Sequence, residues 1–496
     1  MVSIFVGFSI ILIVASFVIG YGLLLVKRLI QWRQSIKYGA KLPPGSLGWP
    51  YVGETLELFS QNPHEFFTNR QKRYGDIFKT HILGCPCIML ASPEAIKFVL
   101  MNKANLFKPT YPKSKERLIG SMAIFFQQGP YHAQIRKLVQ ASLSLDYIKP
   151  RIPRIEAIAK STLDSWADGR VVHVFHELKK FAFDVAVLSI FGELDSYYTE
   201  ELKENYFTLD KGYNSFPTTL IPCTPYFKSL MARRRLEQII REIMMERREK
   251  RLETKDLFGC LLNFSNEDGK TLSDDQIIDN VIGVLFAAQD TAASMLTWIL
   301  KYITDYHNLL QDIQNEQMAI YKANDNGKRP LTWTQIREMT VTHRVILESL
   351  RMASIISFTY REAVEDVVYD GYLIPKGWKV LPLFRNIHHN PAFFQDPQTF
   401  DTSRFQAATT KPHTFMPFGY GAHACPGNEV AKLLMLLFIH HLVTQFRWEV
   451  VEAKKGKGGV EYDPFPIPEK GLPAKFWKTC TSQPTPTLAH QLLSIY

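Results

Sequence analysis

Cysteine is scarce in this chain: six residues in 496, at positions 85, 87, 223, 260, 425 and 480, with no Cys-x-x-Cys pair. That excludes a disulfide framework and a zinc ribbon or thioredoxin-type motif, and it points to a reducing compartment. Long repeats and low-complexity tracts are missing, and a composition of 46% hydrophobic and 21% charged residues excludes a disordered chain. An acidic excess is also missing. The net charge of +10 (58 Lys and Arg against 48 Asp and Glu) suits a membrane surface or an acidic partner and is too diffuse to argue for nucleic acid.

What is present begins with an apolar run. Residues 2–26 carry no charge, and as a helix at 1.5 Å per residue they span roughly 37 Å, enough to cross a bilayer. No basic residue precedes the run and no small-x-small site follows it, so a membrane anchor over 1–26 is expected rather than a cleaved signal. Lys27, Arg28, Arg33, Lys37 and Lys41 follow, which by the positive-inside rule leaves the rest of the chain in the cytosol. The Asn263-Phe264-Ser265 sequon would then stay unglycosylated. Residues 27–50 read as a basic, Pro/Gly-rich tether, because Leu42-Pro43-Pro44-Gly45 and Gly48-Trp49-Pro50 cannot continue a helix.

From 51 to 478 the pattern is expected to be one large, mainly α domain with a smaller β part (α+β), followed by a tail over 479–496. An amphipathic helix is expected over Glu54–Tyr74, then two short strands, Ile77–Leu83 and Cys87–Leu90, broken at Gly84-Cys85-Pro86. Helical spacing recurs near 135–145, 155–166, 174–190, 201–212, 230–251, 273–302, 333–338 and 342–353, and again beyond Pro426. Between Tyr360 and Phe405 glycines and prolines punctuate a strand-and-meander stretch, and Trp448–Phe476 reads as β. The basic segment from Arg233 to Arg251 reads as a solvated helix face.

The chemistry concentrates in Phe418-Gly419-Tyr420-Gly421-Ala422-His423-Ala424-Cys425-Pro426-Gly427. One cysteine stands among three glycines just before an apolar helix. Glycines let amides approach the sulfur, and a helix N-terminus favours thiolate. Taken alone, the feature is more often that of a buried, inert cysteine in a turn. The spacing, however, resembles the haem-binding signature Phe-x-x-Gly-x-x-x-Cys-x-Gly of the cytochrome P450 superfamily, with Phe418, Gly421, Cys425 and Gly427 in register.

The resemblance implies a cytochrome P450 fold, haem b with Cys425 as the iron ligand, dioxygen, and NADPH electrons supplied by an NADPH-cytochrome reductase. Further segments extend it. Glu348-Ser349-Leu350-Arg351 is similar to the family's Glu-x-x-Arg helix, which with Arg404 implies a network bracing the cysteine loop. Phe286-Ala287-Ala288-Gln289-Asp290-Thr291-Ala292-Ala293 is similar to its acid–hydroxyl motif, assigning proton delivery to Asp290 and Thr291. His132, Arg136, Arg361 and His423 are the implied propionate contacts. The pairs His388-His389 and His440-His441, being adjacent, read as structural.

The run from Gly371 to His389, with Phe78–Cys87, Lys211–Ser215 and Ala353–Phe358, is most similar to the plant abscisic acid 8'-hydroxylases. That implies hydroxylation of abscisic acid towards phaseic acid by a single-pass protein of the endoplasmic reticulum membrane. A small apolar carboxylic acid needs an apolar pocket with few polar anchors. Expected walls are Phe125, Phe126, Asn214, Phe216, Phe286, Ile355 and Ile356, with Lys113, Lys115 and Arg117 as bases for the carboxylate. Ala292, Thr402 and Leu434 depart from the family's pattern. Three alternatives stay open: an enzyme acting on another carotenoid-derived acid such as a strigolactone precursor, a drifted haem-binding copy with little turnover, and a haem-thiolate isomerase or dehydratase needing no reductase.

Overall fold

The computed structural model describes residue 22 and residues 39–496, apart from 216, 220, 253, 407–410, 452–458 and 480–496. Nearly all of the expected anchor, half of the tether, nearly all of the tail and Phe216 therefore lie outside the described residues. The chain clusters into two compact units, one of residues 1–144, 186–288 and 347–429, the other of 145–185, 289–346 and 430–496. Among the described residues there are twelve strands: β1 (Ile77–Ile82), β2 (Cys85–Leu90), β3 (Phe107–Pro109), β4 (Asp168–His173), β5 (Arg361–Ala363), β6 (Val367–Tyr369), β7 (Tyr372–Ile374), β8 (Lys379–Pro382), β9 (Phe446–Val450), β10 (Val460–Tyr462), β11 (Pro466–Pro468) and β12 (Pro473–Lys478). Helices fill most of the remainder, so the fold is mainly α with a smaller β part.

The first unit is built on a five-stranded sheet in the order β1-β2-β8-β5-β3, with β2 and β8 parallel. Side chains of a strand alternate between faces, and here both faces are buried. Ile77, Ile88, Leu90 and Val380 enter one hydrophobic cluster. Phe78, Cys87, Met89 and Leu381 enter another. The β1–β2 hairpin closes Ile82 onto Cys85 through Leu83 and Gly84, both at positive φ (52° and 76°). The second strand thus starts at Cys85 rather than Cys87, because Pro86 near a strand's beginning is tolerated.

The expected helix over Glu54–Tyr74 is two helices, Thr55–Ser60 and Pro63–Tyr74. Pro63 supplies no N–H and starts the second, and the Asn62 side chain accepts from the His64 amide at 2.9 Å. The basic helix Pro225–Glu249 corrects a second expectation. Arg233 and Arg247 are buried rather than solvated, paired with Asp279 and Asp256. A desolvated guanidinium needs such a partner.

In the second unit β4-β12-β9 form one sheet and β10-β11 a hairpin. Trp166 is fully buried against Phe476 and Phe438, with ring centroids at 5.0 and 5.9 Å. His307–Ala323 is a helix that the spacing did not announce. Its buried stripe is Ile313, Gln317, Ile320 and Tyr321, and the amide in the middle breaks the apolar period. Gln317 is buried because it hydrogen bonds to Thr342 and His440, both at 2.7 Å. His441 pairs with Glu156 at 3.0 Å, so this histidine pair is hydrogen-bonded structure.

Candidate functional site

Gly419 and Gly421 both sit at φ +73°, and a Cβ on Gly421 would stand 2.1 Å from the Leu100 carbonyl oxygen. Only glycine lets the loop turn there. The Cys425 amide donates to the Phe418 carbonyl at 2.8 Å, and Arg136 donates to the Ala424 carbonyl at 2.7 Å. The helix Asn428–Gln445 begins three positions after the thiol. Burial pushes the Cys425 thiol up, opposed by the Gly427 amide and by Arg136. The sequence pattern suggested a lowered thiol; in the folded chain desolvation outweighs the amide and the charge. Cys425 is nonetheless open at its surface.

Four bases gather in the same unit. The His132 and His423 rings stack at 4.1 Å, and His423 Nε2 lies 3.1 Å from the Gln127 carbonyl oxygen. Arg361 donates to Thr359 Oγ1 at 3.1 Å and to the Tyr360 carbonyl at 2.8 Å. Burial lowers His132, Arg136 and Arg361, and lowers His423 to about 4. Arg136 and Arg361 push both histidines further down. No carboxylate pairs with any of these four among the described residues. Desolvated bases without an acid, in the unit that holds an open thiol, fit a group carrying two carboxylates and a metal that takes a thiolate, as haem does.

The brace beside the loop is complete in the structure. Arg351 makes a bidentate pair with Glu348 at 2.7 and 2.8 Å, and both are fully buried. Arg404 Nε reaches Glu348 at 3.4 Å. Arg351 also donates to the carbonyls of His388 (2.9 Å) and Pro397 (2.8 Å). The Met416 amide donates to His388 Nε2 at 3.0 Å, and Gly419 N donates to the Met416 carbonyl at 3.1 Å, which carries the brace into the cysteine loop. Thr402 stands at the first position of a turn capped by Asp401, whose side chain accepts from Ser403 N at 2.9 Å. Proline also fits that position, so this departure from the family leaves the turn intact.

An aromatic wall forms in the first unit. Phe125 meets Phe126 at 4.6 Å and Phe286 at 6.3 Å, and Tyr111 meets Phe126 at 5.2 Å. Tyr213 closes on Phe286 at 4.4 Å. The Phe125 segment is fixed by two core-helix side chains: Asp279 accepts from Met122 N and Asn280 from Ile124 N, each at 2.9 Å. Gly120, at φ +113°, keeps that approach open, since a Cβ there would meet the Asp279 carboxylate at 2.1 Å.

Not every expected wall residue joins. Lys113 is a correction: its side chain is 88% exposed and paired with Glu116 at 2.7 Å. Asn214 is exposed at the end of the Ser196–Tyr213 helix, and Ile356 packs on the sheet core. Tyr111 and Tyr213 were missed, because isolated tyrosines carry no period.

In the second unit Asp290 is fully buried, with Lys179 Nζ 2.7 Å from its carboxylate; Lys179 itself is only 5% exposed. Thr291 beside it is half-buried and Ala292 is buried. Lys179 was also missed; it shares the helix Val174–Phe191 with Glu177, Lys180 and Asp184, and nothing along the chain singles it out.

A family model described as cytochrome P450 matches residues 43–465. The chain belongs to the cytochrome P450 family, whose members are haem-thiolate monooxygenases that take electrons from a reductase and act on apolar substrates. It is 62% identical to abscisic acid 8'-hydroxylase 4 of Arabidopsis thaliana, over 92% of this chain and 96% of the relative. It is 60% identical to abscisic acid 8'-hydroxylase 3 of Oryza sativa subsp. indica, over 89% of this chain and 87% of that one. Among solved structures it is similar to a retinoic acid-bound cyanobacterial CYP120A1, at 27% identity and a TM-score of 0.79, covering 89% of this chain and 100% of that one.

Proposed function

We propose that this protein hydroxylates the 8'-methyl group of abscisic acid, using dioxygen and two electrons from NADPH through a reductase, and so directs the hormone towards phaseic acid. The observation that carries this reading is the 62% identity to an abscisic acid 8'-hydroxylase across 92% of the chain.

Cys425 holds the haem iron in this reading, and Arg136, His132, His423 and Arg361 hold the propionates. The bound haem supplies oxygen activation, favoured by the electron donation of a thiolate. The remaining work falls to the chain. Gly419 and Gly421 shape the loop that presents the sulfur, and Glu348, Arg351 and Arg404 keep it in place. Phe125, Phe126 and Phe286 take up the apolar body of the substrate and exclude water. Asp290 and Thr291 hold and pass protons, with the Lys179 ammonium 2.7 Å from the buried carboxylate.

The localisation reading, a single-pass protein of the endoplasmic reticulum with its catalytic part in the cytosol, rests on residues 1–41. It is supported by the exposed Trp49, Tyr51 and Val52 at the end of the tether, where aromatic side chains suit a membrane interface. Full-length protein resisting alkaline extraction from membranes, with its C-terminal part open to added protease, is the expected result. Release by alkali would reject it.

The reaction is tested with microsomes containing the full chain and a plant reductase. Hydroxylated product and phaseic acid that require NADPH and vanish in Cys425→Ala are expected. A preparation with a thiolate-ligated carbon monoxide spectrum and no product from abscisic acid would reject the substrate and turn the search to other carotenoid-derived acids.

A further inference from the structure

Among the bases near the aromatic wall, Lys115 differs from its neighbours. Its Nζ lies 3.9 Å from the centroid of the Tyr213 ring, and Tyr213 packs on Phe286. Lys113, two residues earlier, is solvated and already paired with Glu116, and Arg117 is exposed. Lys115 is half-buried, and among the described residues its ammonium has no carboxylate partner. Burial lowers its pKa to about 8, with no acid opposing the shift. A partly desolvated ammonium that lies over a ring face, with no ion-pair partner among the described residues, is incompletely satisfied, and an anion brought by a ligand would complete it.

We propose that Lys115 is the specificity-determining residue that binds the carboxylate of an apolar acid substrate whose body lies along the Tyr213–Phe286–Phe125 wall. The inference rests on the substrate reading above and deepens it. An acid pinned at its carboxylate end presents its far end for oxidation, so Lys115 also sets which methyl group reacts.

The test uses full-length holoenzyme as wild type, Lys115→Met and Lys115→Arg, with abscisic acid and its uncharged methyl ester as probes. Haem-spectral titration gives affinity, and mass spectrometry gives the product distribution. A charge-assisted contact of this kind predicts about 10- to 100-fold weaker binding of the acid by Lys115→Met. Ester binding should change little, and oxidation should spread to other methyl groups. Lys115→Arg should recover part of the acid affinity. Unchanged ester binding also shows that the variant has folded. Wild type that oxidises abscisic acid while Lys115→Met binds the acid equally well, at the same product ratio, overturns the role of Lys115. Wild type that binds neither probe, despite a normal carbon monoxide spectrum, instead overturns the substrate reading on which it stands.

Discussion

Lys179→Met keeps the length of the side chain and deletes its charge, leaving Asp290, fully buried, without the ammonium that stands 2.7 Å away. Removing one partner of a buried ion pair costs about 3–5 kcal/mol, because the remaining charge stays desolvated. At about 2.1 cal/mol/K of unfolding entropy per residue, roughly 450 folded residues give about 1 kcal/mol per degree. The thermal midpoint of the holoenzyme, followed by circular dichroism at a fixed scan rate, should therefore fall by about 3–5 °C. Asp290→Asn alone should also lower it, since the buried Lys179 then loses the carboxylate beside it. The double variant Lys179→Met/Asp290→Asn should lie well above the sum of the two losses, with a coupling of about 2–3 kcal/mol. A single Lys179→Met variant within 1 °C of wild type, or strict additivity in the cycle, would refute the reasoning: the pair would then not be a buried, mutually dependent contact. Well below the transition, Asp290→Asn should lower kcat while leaving KM nearly unchanged, because the proposed role is proton transfer rather than binding.

Gly421→Ala places a Cβ against the Leu100 carbonyl at a backbone angle that L-residues avoid, so the cysteine loop must shift; the haem-to-protein ratio should fall steeply, and full haem content would contradict the loop geometry. Arg351→Lys removes the bidentate contact with Glu348 from a fully buried site, and a loss of about 3–5 kcal/mol with weakened haem retention is expected from thermal unfolding. Phe286→Ala deletes the ring that joins Tyr213 to Phe125, and the substrate dissociation constant from spectral titration should rise about ten-fold or more, in line with roughly 1.5–3 kcal/mol for a buried aromatic. His388 and His440 are held neutral, each lowered to about 3 by burial first, with help from Arg351 and His441 respectively. Their folded values lie below the free value near 6.5, so the unfolded chain takes up protons first and stability falls as pH drops from 6.5 towards 3. At pH 5.5 the two together remove about 3 kcal/mol, read as a lower thermal midpoint than at pH 7.5; a flat profile would contradict their burial as neutral groups.

What the sequence determined by itself was whatever lies within one turn, strand or loop. The spacing of Phe418, Gly421, Cys425 and Gly427 is a property of ten consecutive residues, and the i,i+3 spacing of Glu348 and Arg351 places both charges on one helix face. The short strand-like runs of β1 and β2 were similarly announced, although the start of β2 was misplaced because Pro86 was read as a break. Tertiary structure decided everything that required two distant segments to meet. Lys115 and Lys113 are indistinguishable along the chain, yet only one lies against Tyr213, from another helix. Lys179 and Asp290 are more than a hundred positions apart, and a lysine inside an apolar helix does not name its counter-ion. Arg233 and Arg247 look like solvated charges until Asp279 and Asp256 are brought to them. The division has one physical cause: local periodicity is written in backbone geometry, whereas the burial of a charge, and the partner that makes burial tolerable, exist only once the chain has packed.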